Sequence, residues 1–114
     1  MGHHERGRGS GSEARRRALR TLLDARSYPE LARELQGEGD HALRREFAMH
    51  LFTLAVRGPG GPDGRWVDRL LAAGLHHGFT EDDIEHIEQV AYSGVTSGLE
   101  ANIAARVCEK LRRR

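Results

Sequence analysis

Residues 66–111 run WVDRLLAAGLHHGFTEDDIEHIEQVAYSGVTSGLEANIAARVCEKL, and this stretch restricts the fold more than any other. Gly78 ends one helical pattern and supplies a left-handed C-cap. Thr80-Glu81-Asp82-Asp83 starts another: a hydroxyl N-cap with an acid three residues on satisfies two orphan amide donors reciprocally. The three acids of that first turn also suit the positive end of the helix dipole. Ile84, Ile87 and Ala91 then recur at helical spacing, Tyr92-Ser93-Gly94-Val95 breaks the pattern, and Leu99, Ile103, Val107 and Leu111 carry it into a last helix capped by Thr96. Two amphipathic helices meeting at a Ser-Gly corner need a partner to bury against. The spacing predicts an all-α fold.

The segment AAGLHHGFTEDDIEHIEQVAYSGV, followed by an Ala-rich helix, resembles the carboxymuconolactone decarboxylase family, which includes the alkylhydroperoxidase D-like (AhpD-like) proteins. It matches that family's Ala-rich segment, its Gly-x-Thr-x-x-Glu-Ile start (with Asp83 in the Glu place) and its Tyr-x-Gly corner. The likeness covers roughly residues 43–111. It implies an AhpD-like bundle of helices assembled as a homo-oligomer, a trimer or hexamer. The family's redox branch carries CxxC and then a His about eight residues before the helix-ending Gly. Here Leu70 stands in the His place, and the Cys places fall near Asp63 and Trp66. The chain therefore lacks the thiols of a peroxidase, and the decarboxylase branch's usual His is missing too.

Composition sets outer bounds. One domain is expected, residues 13–114, behind a disordered basic tail, residues 1–12 (MGHHERGRGSGS), which offers nothing to bury. Net charge is +1 but segregated: residues 1–20 hold six Arg against Glu5 and Glu13, while residues 21–109 hold eight Arg against fifteen Asp and Glu. Basic ends on an acidic middle argue against a nucleic-acid-binding core. No apolar run approaches the ~20 residues that span a bilayer, so a cytoplasmic location is expected. The lone Cys108 allows no internal disulfide or paired-Cys zinc pattern, and at the edge of the last helix's apolar stripe it reads as a small buried hydrophobe.

In chain order, Ser12 caps a first helix through about Ala25, with Leu19, Leu22 and Leu23 as its apolar face. Pro29 suits the first turn of a short helix with Leu31 and Leu35 inward and Gly37 at its end. Asp40 caps a third helix, residues 41–57. RGPGGPDGR (57–65) is a loop, and a fourth helix runs from Arg65 to His77.

The third helix bears most on chemistry. Phe47, Ala48, Met49, Leu51, Phe52, Leu54, Ala55 and Val56 wrap most of its circumference. Glu46, His50, Thr53 and Arg57 fall within a wedge of roughly 60°. A polar stripe on a helix apolar nearly all round must face a cavity, an interface or a partner. Glu46 and His50, one turn apart, can serve as a general acid–base pair, the carboxylate fixing the imidazole tautomer. Glu46 also sits where the resembled family carries a proton-relay Glu. The alternative is an interface stripe whose charges pair with a neighbouring chain.

Arg65 and Arg69, one turn apart, can receive a substrate carboxylate, or equally pair with Asp68 or a neighbouring chain. Trp66 can line a pocket mouth, or equally pack at a subunit interface. His77, adjacent to His76 but pointing about 100° away, can reach a pocket though not share a metal with its neighbour. His86, among Glu85 and Glu88, reads as a surface residue, and His41, in a first turn, as incidental. No metal or organic cofactor is expected. The function these features and the resemblance suggest is a divergent carboxymuconolactone decarboxylase-like enzyme, a cofactor-independent lyase acting by proton transfer on a small carboxylated or lactone-like substrate. Glu46 and His50 would be catalytic, and Trp66, Arg69 and His77 substrate-binding. The rival is a non-catalytic oligomeric binding or scaffold protein of the same fold.

Overall fold

The structure, a computed structural model, describes residues 2–57 and 63–113, with side chains from residue 12 onward. Among the described residues there are six α-helices and no strand: α1 (Gly2–Asp24), α2 (Tyr28–Gln36), α3 (His41–Arg57), α4 (Gly64–Ala72), α5 (Glu81–Ser93) and α6 (Gly98–Arg113). The all-α expectation therefore holds. Most of the Gly- and Pro-rich loop, residues 58–62, lies outside the described residues. No helix among those described is long and apolar enough to cross a membrane.

The third helix is the hub. It packs on α2, α4 and α5, while α6 lies against α4 and α5, and α1 rests on α2. Phe47, Ala48, Leu51, Phe52, Ala55 and Val56 are all buried, joined by Leu31 and Leu35 from α2, Val67 and Leu70 from α4, Ile84, Ile87 and Ala91 from α5, and Val107 and Leu111 from α6. Leu70, in the resembled family's His place, is thus a core residue. Leu19 and Leu23 anchor α1 to this core.

Local signals set most boundaries. The α1 helix begins at Gly2, so Ser12 lies inside it rather than at its start. Its far end closes where Arg26 takes φ 61° and Ser27 N–H donates to Leu22 O at 2.9 Å, a left-handed Schellman turn without glycine. Asp40 caps α3 through Ala42 and Leu43 N–H. Thr80 and Asp83 form the expected reciprocal capping box on α5, and Phe79 and Ile84, the positions of a hydrophobic staple, are both buried.

Three further expectations need correction. The fourth helix stops at Ala72 and does not reach His77, because Gly74 (φ +73°) adopts the left-handed conformation and Leu75 N–H bonds back to Leu70 O at 3.1 Å. A Cβ at Gly74 would also come within 3.0 Å of the His77 ring, so two independent features favour glycine there. The cap on α6 is Ser97, whose hydroxyl accepts from Glu100 N–H; Thr96 is held instead by its N–H and Oγ1 donating to the Glu100 carboxylate. Leu99, expected inward, is 70% exposed, and the apolar stripe of α6 starts a turn later at Ile103.

Candidate functional site

The helix ends bring the α2 and α4 N-termini together. Asp63 N–H donates to Ala55 O at 2.8 Å, fastening the start of α4 beside the last turns of α3. The Asp63 carboxylate caps α4 by accepting from Trp66 N–H at 3.0 Å. Between α4 and the first turn of α2 opens a cleft of about 470 Å3, lined by Tyr28, Pro29, Asp63, Arg65, Trp66 and Arg69. That volume suits a small organic molecule.

Chemically the cleft has two parts. Tyr28, Pro29 and Trp66 offer apolar surface with a hydroxyl and an indole donor. Arg65 and Arg69, one helical turn apart, add two guanidinium forks, and neither has an ion-pair partner among the described residues. The nearest carboxylate in the lining, Asp63, is committed to the helix end. A planar anion backed by a flat apolar body fits this set of groups.

Glu46 and His50 lie elsewhere. Their stripe faces α1, where Glu46 pairs with Arg16 Nη1 and the Arg20 guanidinium sits over the Phe47 ring, 5.6 Å from its centroid. Phe47 and His50 rings stand 5.8 Å apart. Burial pushes the His50 imidazole below its usual pKa, nearby Arg20 pushes the same way, and Glu46 opposes them. The ring is therefore neutral at pH 7 and able to accept a proton. Thr53 Oγ1 spends its donor on His50 O one turn back at 2.9 Å, and Arg57 reaches Ser93 Oγ at 3.4 Å. At 1.5 Å rise per residue, Ala55 lies about 13–14 Å along α3 from Glu46 and about 7–8 Å from His50. The pair and the cleft are distinct places within one chain.

His77 is in neither place. It lies in the turn after α4, its ring centroid 4.7 Å from that of His76, and its carbonyl accepts from Arg44 at 3.4 Å. His41 is exposed, and so is His86, as expected. Cys108 is buried; burial and then nearby Glu88 push its thiol pKa up, opposed by the hydrogen bond with Tyr92, so it stays protonated at pH 7. No group of three or more His, Cys, Asp or Glu that could hold a metal ion occurs among the described residues.

Of the five residues singled out from sequence, the structure thus gathers Trp66 and Arg69 with Arg65. Tyr28 and Pro29 were missed. Pro29 was legible as a helix start, but nothing in the sequence sets the α2 N-terminus beside α4. Arg16 and Arg20 were read as part of a basic end, with no signal that they cover the stripe on α3. No family model, curated protein or solved structure matches the chain.

Proposed function

We propose that this chain is a divergent carboxymuconolactone decarboxylase-like protein of AhpD-like fold, a cytoplasmic homo-oligomer that holds a small carboxylated or lactone-like organic molecule in the α2–α4 cleft. The observation that supports this is the pair of arginines beside Trp66 and Tyr28, with no ion-pair partner among the described residues and facing a space of ligand size. Arg69 is exposed and its side chain makes no hydrogen bond among the described residues, so Arg69→Ala should fold normally. Removing a charge-assisted contact of about 1.5–2 kcal/mol should weaken benzoate or a small aliphatic dicarboxylate by roughly 10–30-fold. Quenching of Trp66, the only tryptophan, provides the readout. Equal affinity in the two proteins, or no binding by the wild type at about 10 mM, would remove the reading.

A second reading, proton-transfer catalysis by Glu46 and His50 without a cofactor, is favoured by one specific feature. His50 is half-buried, neutral and next to a carboxylate, the setting of a general base. On this reading a substrate would have to reach the α1–α3 contact. If the pair is catalytic, Glu46→Gln and His50→Ala should each cut turnover of a bound carboxylate or lactone by about 10²–10⁴-fold. Unchanged turnover with the oligomer intact would leave binding as the sole activity.

A further inference from the structure

Arg65 borders two depressions. Besides the α2–α4 cleft it lines a groove of about 280 Å3 on the other side of α4, formed with α6 by Gly64, Asp68, Ile103, Arg106, Val107 and Lys110. The charges of this groove do not balance. Asp68 is the one carboxylate among the lining residues, and it is paired with Lys110 Nζ. Arg65 and Arg106 have no anionic partner among the described residues. Two guanidinium groups thus share one small depression whose floor is apolar, Val107 being buried and Ile103 partly so. Water screens neighbouring charges less well over such a floor, and like charges gathered there favour a counter-anion. Two such forks supply more donors than one carboxylate can use, whereas a tetrahedral dianion presents enough oxygens for both.

We propose that the α4–α6 groove is a second, separate anion site that takes a phosphate group on Arg65 and Arg106, with Lys110 at its edge. It does not depend on what the α2–α4 cleft binds. The phosphate could arrive as the free ion or as a monoester whose organic part covers Ile103 and Val107.

The test compares inorganic phosphate and phenyl phosphate, followed by 31P NMR titration of the full chain, with benzoate followed by Trp66 fluorescence. Phosphate should bind with a Kd on the order of 1 mM, as a few charge-assisted hydrogen bonds at an exposed site provide. Arg106→Gln should weaken phosphate about tenfold and leave benzoate unchanged, because Arg106 lines the groove and not the cleft. Arg69→Gln should do the reverse, and Arg65→Gln should weaken both. Tighter binding of phenyl phosphate than of phosphate identifies an ester as the ligand; equal or weaker binding identifies the free ion, and either supports the site. Phosphate binding indifferent to Arg106→Gln, or absent at about 10 mM, overturns it. Loss of benzoate binding with phosphate binding retained would sink the proposed function alone.

Discussion

Replacing Phe52 by Ala is expected to bring the protein close to unfolding at room temperature. Phe52 is fully buried on α3 and meets Phe79 edge-on, with centroids 5.3 Å apart and planes at 73°. Phe79 precedes the Thr80 cap, so this contact fastens the α4–α5 turn and the start of α5 to the hub helix. Truncation removes a large apolar surface, leaves a cavity and gives up the edge-to-face pair, for about 3–5 kcal/mol. A domain of this size is stable by only about 5–15 kcal/mol. The midpoint of thermal unfolding should fall by roughly 15–30 °C, followed by circular dichroism at 222 nm. Phe52→Leu, which keeps most of the volume, should cost about 1–1.5 kcal/mol. A drop below about 5 °C for the Ala variant would mean that the packing of α3 on this turn is not as described.

The second large effect centres on Asp83. Its carboxylate accepts from Arg45 Nε at 2.6 Å and Nη2 at 2.8 Å, and from Thr80 N–H at 2.8 Å, while its own N–H donates to Thr80 Oγ1. It is only 8% exposed. The Arg45 guanidinium, helped by the Thr80 amide and outweighing the effect of burial, holds the carboxyl below the usual range. Asp83→Ala removes a helix cap and a cross-helix pair together, for about 2–3 kcal/mol, a figure kept low because the Arg45 side chain is half exposed. The sign of the pH effect follows from the lowered pKa. The unfolded chain takes up a proton near pH 4, before the folded one does, so this contribution is complete above that pH and is lost as the pH falls through the folded value. Asp83→Asn should therefore be less stable than wild type at pH 7, and the gap should close as the pH drops from about 5 towards 2. A gap that stays constant across that range would show that the carboxylate's charge plays no part.

How far the sequence foretold these features varies with the physics behind each. The caps at Asp40 and Thr80 were legible because a cap is set by residues within one turn of each other. So was the core face of α3, since a helix apolar nearly all round has few other places to go. The end of α4 was misread because both Gly74 and Gly78 suit a left-handed turn; which one closes the helix depends on Leu75 being drawn into the core. The outward Leu99 shows the same dependence, because periodicity says which residues share a face but not how far a neighbouring helix extends along it.

The polar stripe was visible and its covering was not. Nothing within α3 announces that Arg16 and Arg20 lie above Glu46 and His50. Those contacts depend on the Arg26 turn, where a residue without glycine's freedom takes a left-handed backbone and sends the chain back along α2. The cleft beside Trp66 was foreseeable only in part for the same reason: the wall made by Tyr28 and Pro29 comes from α2, distant in the chain, whereas the two arginines share α4 with the indole.

Arg44, on the hub helix, donates to Leu35 O at 3.3 Å, to Gly74 O at 2.8 Å and to His77 O at 3.4 Å. These carbonyls belong to the end of α2 and to the turn that follows α4. One planar cation is thus shared between two chain reversals remote in sequence, and loosening of either removes a contact that holds the guanidinium in place for the other. Amide exchange in the two segments should consequently be correlated, as if a single rivet held both corners.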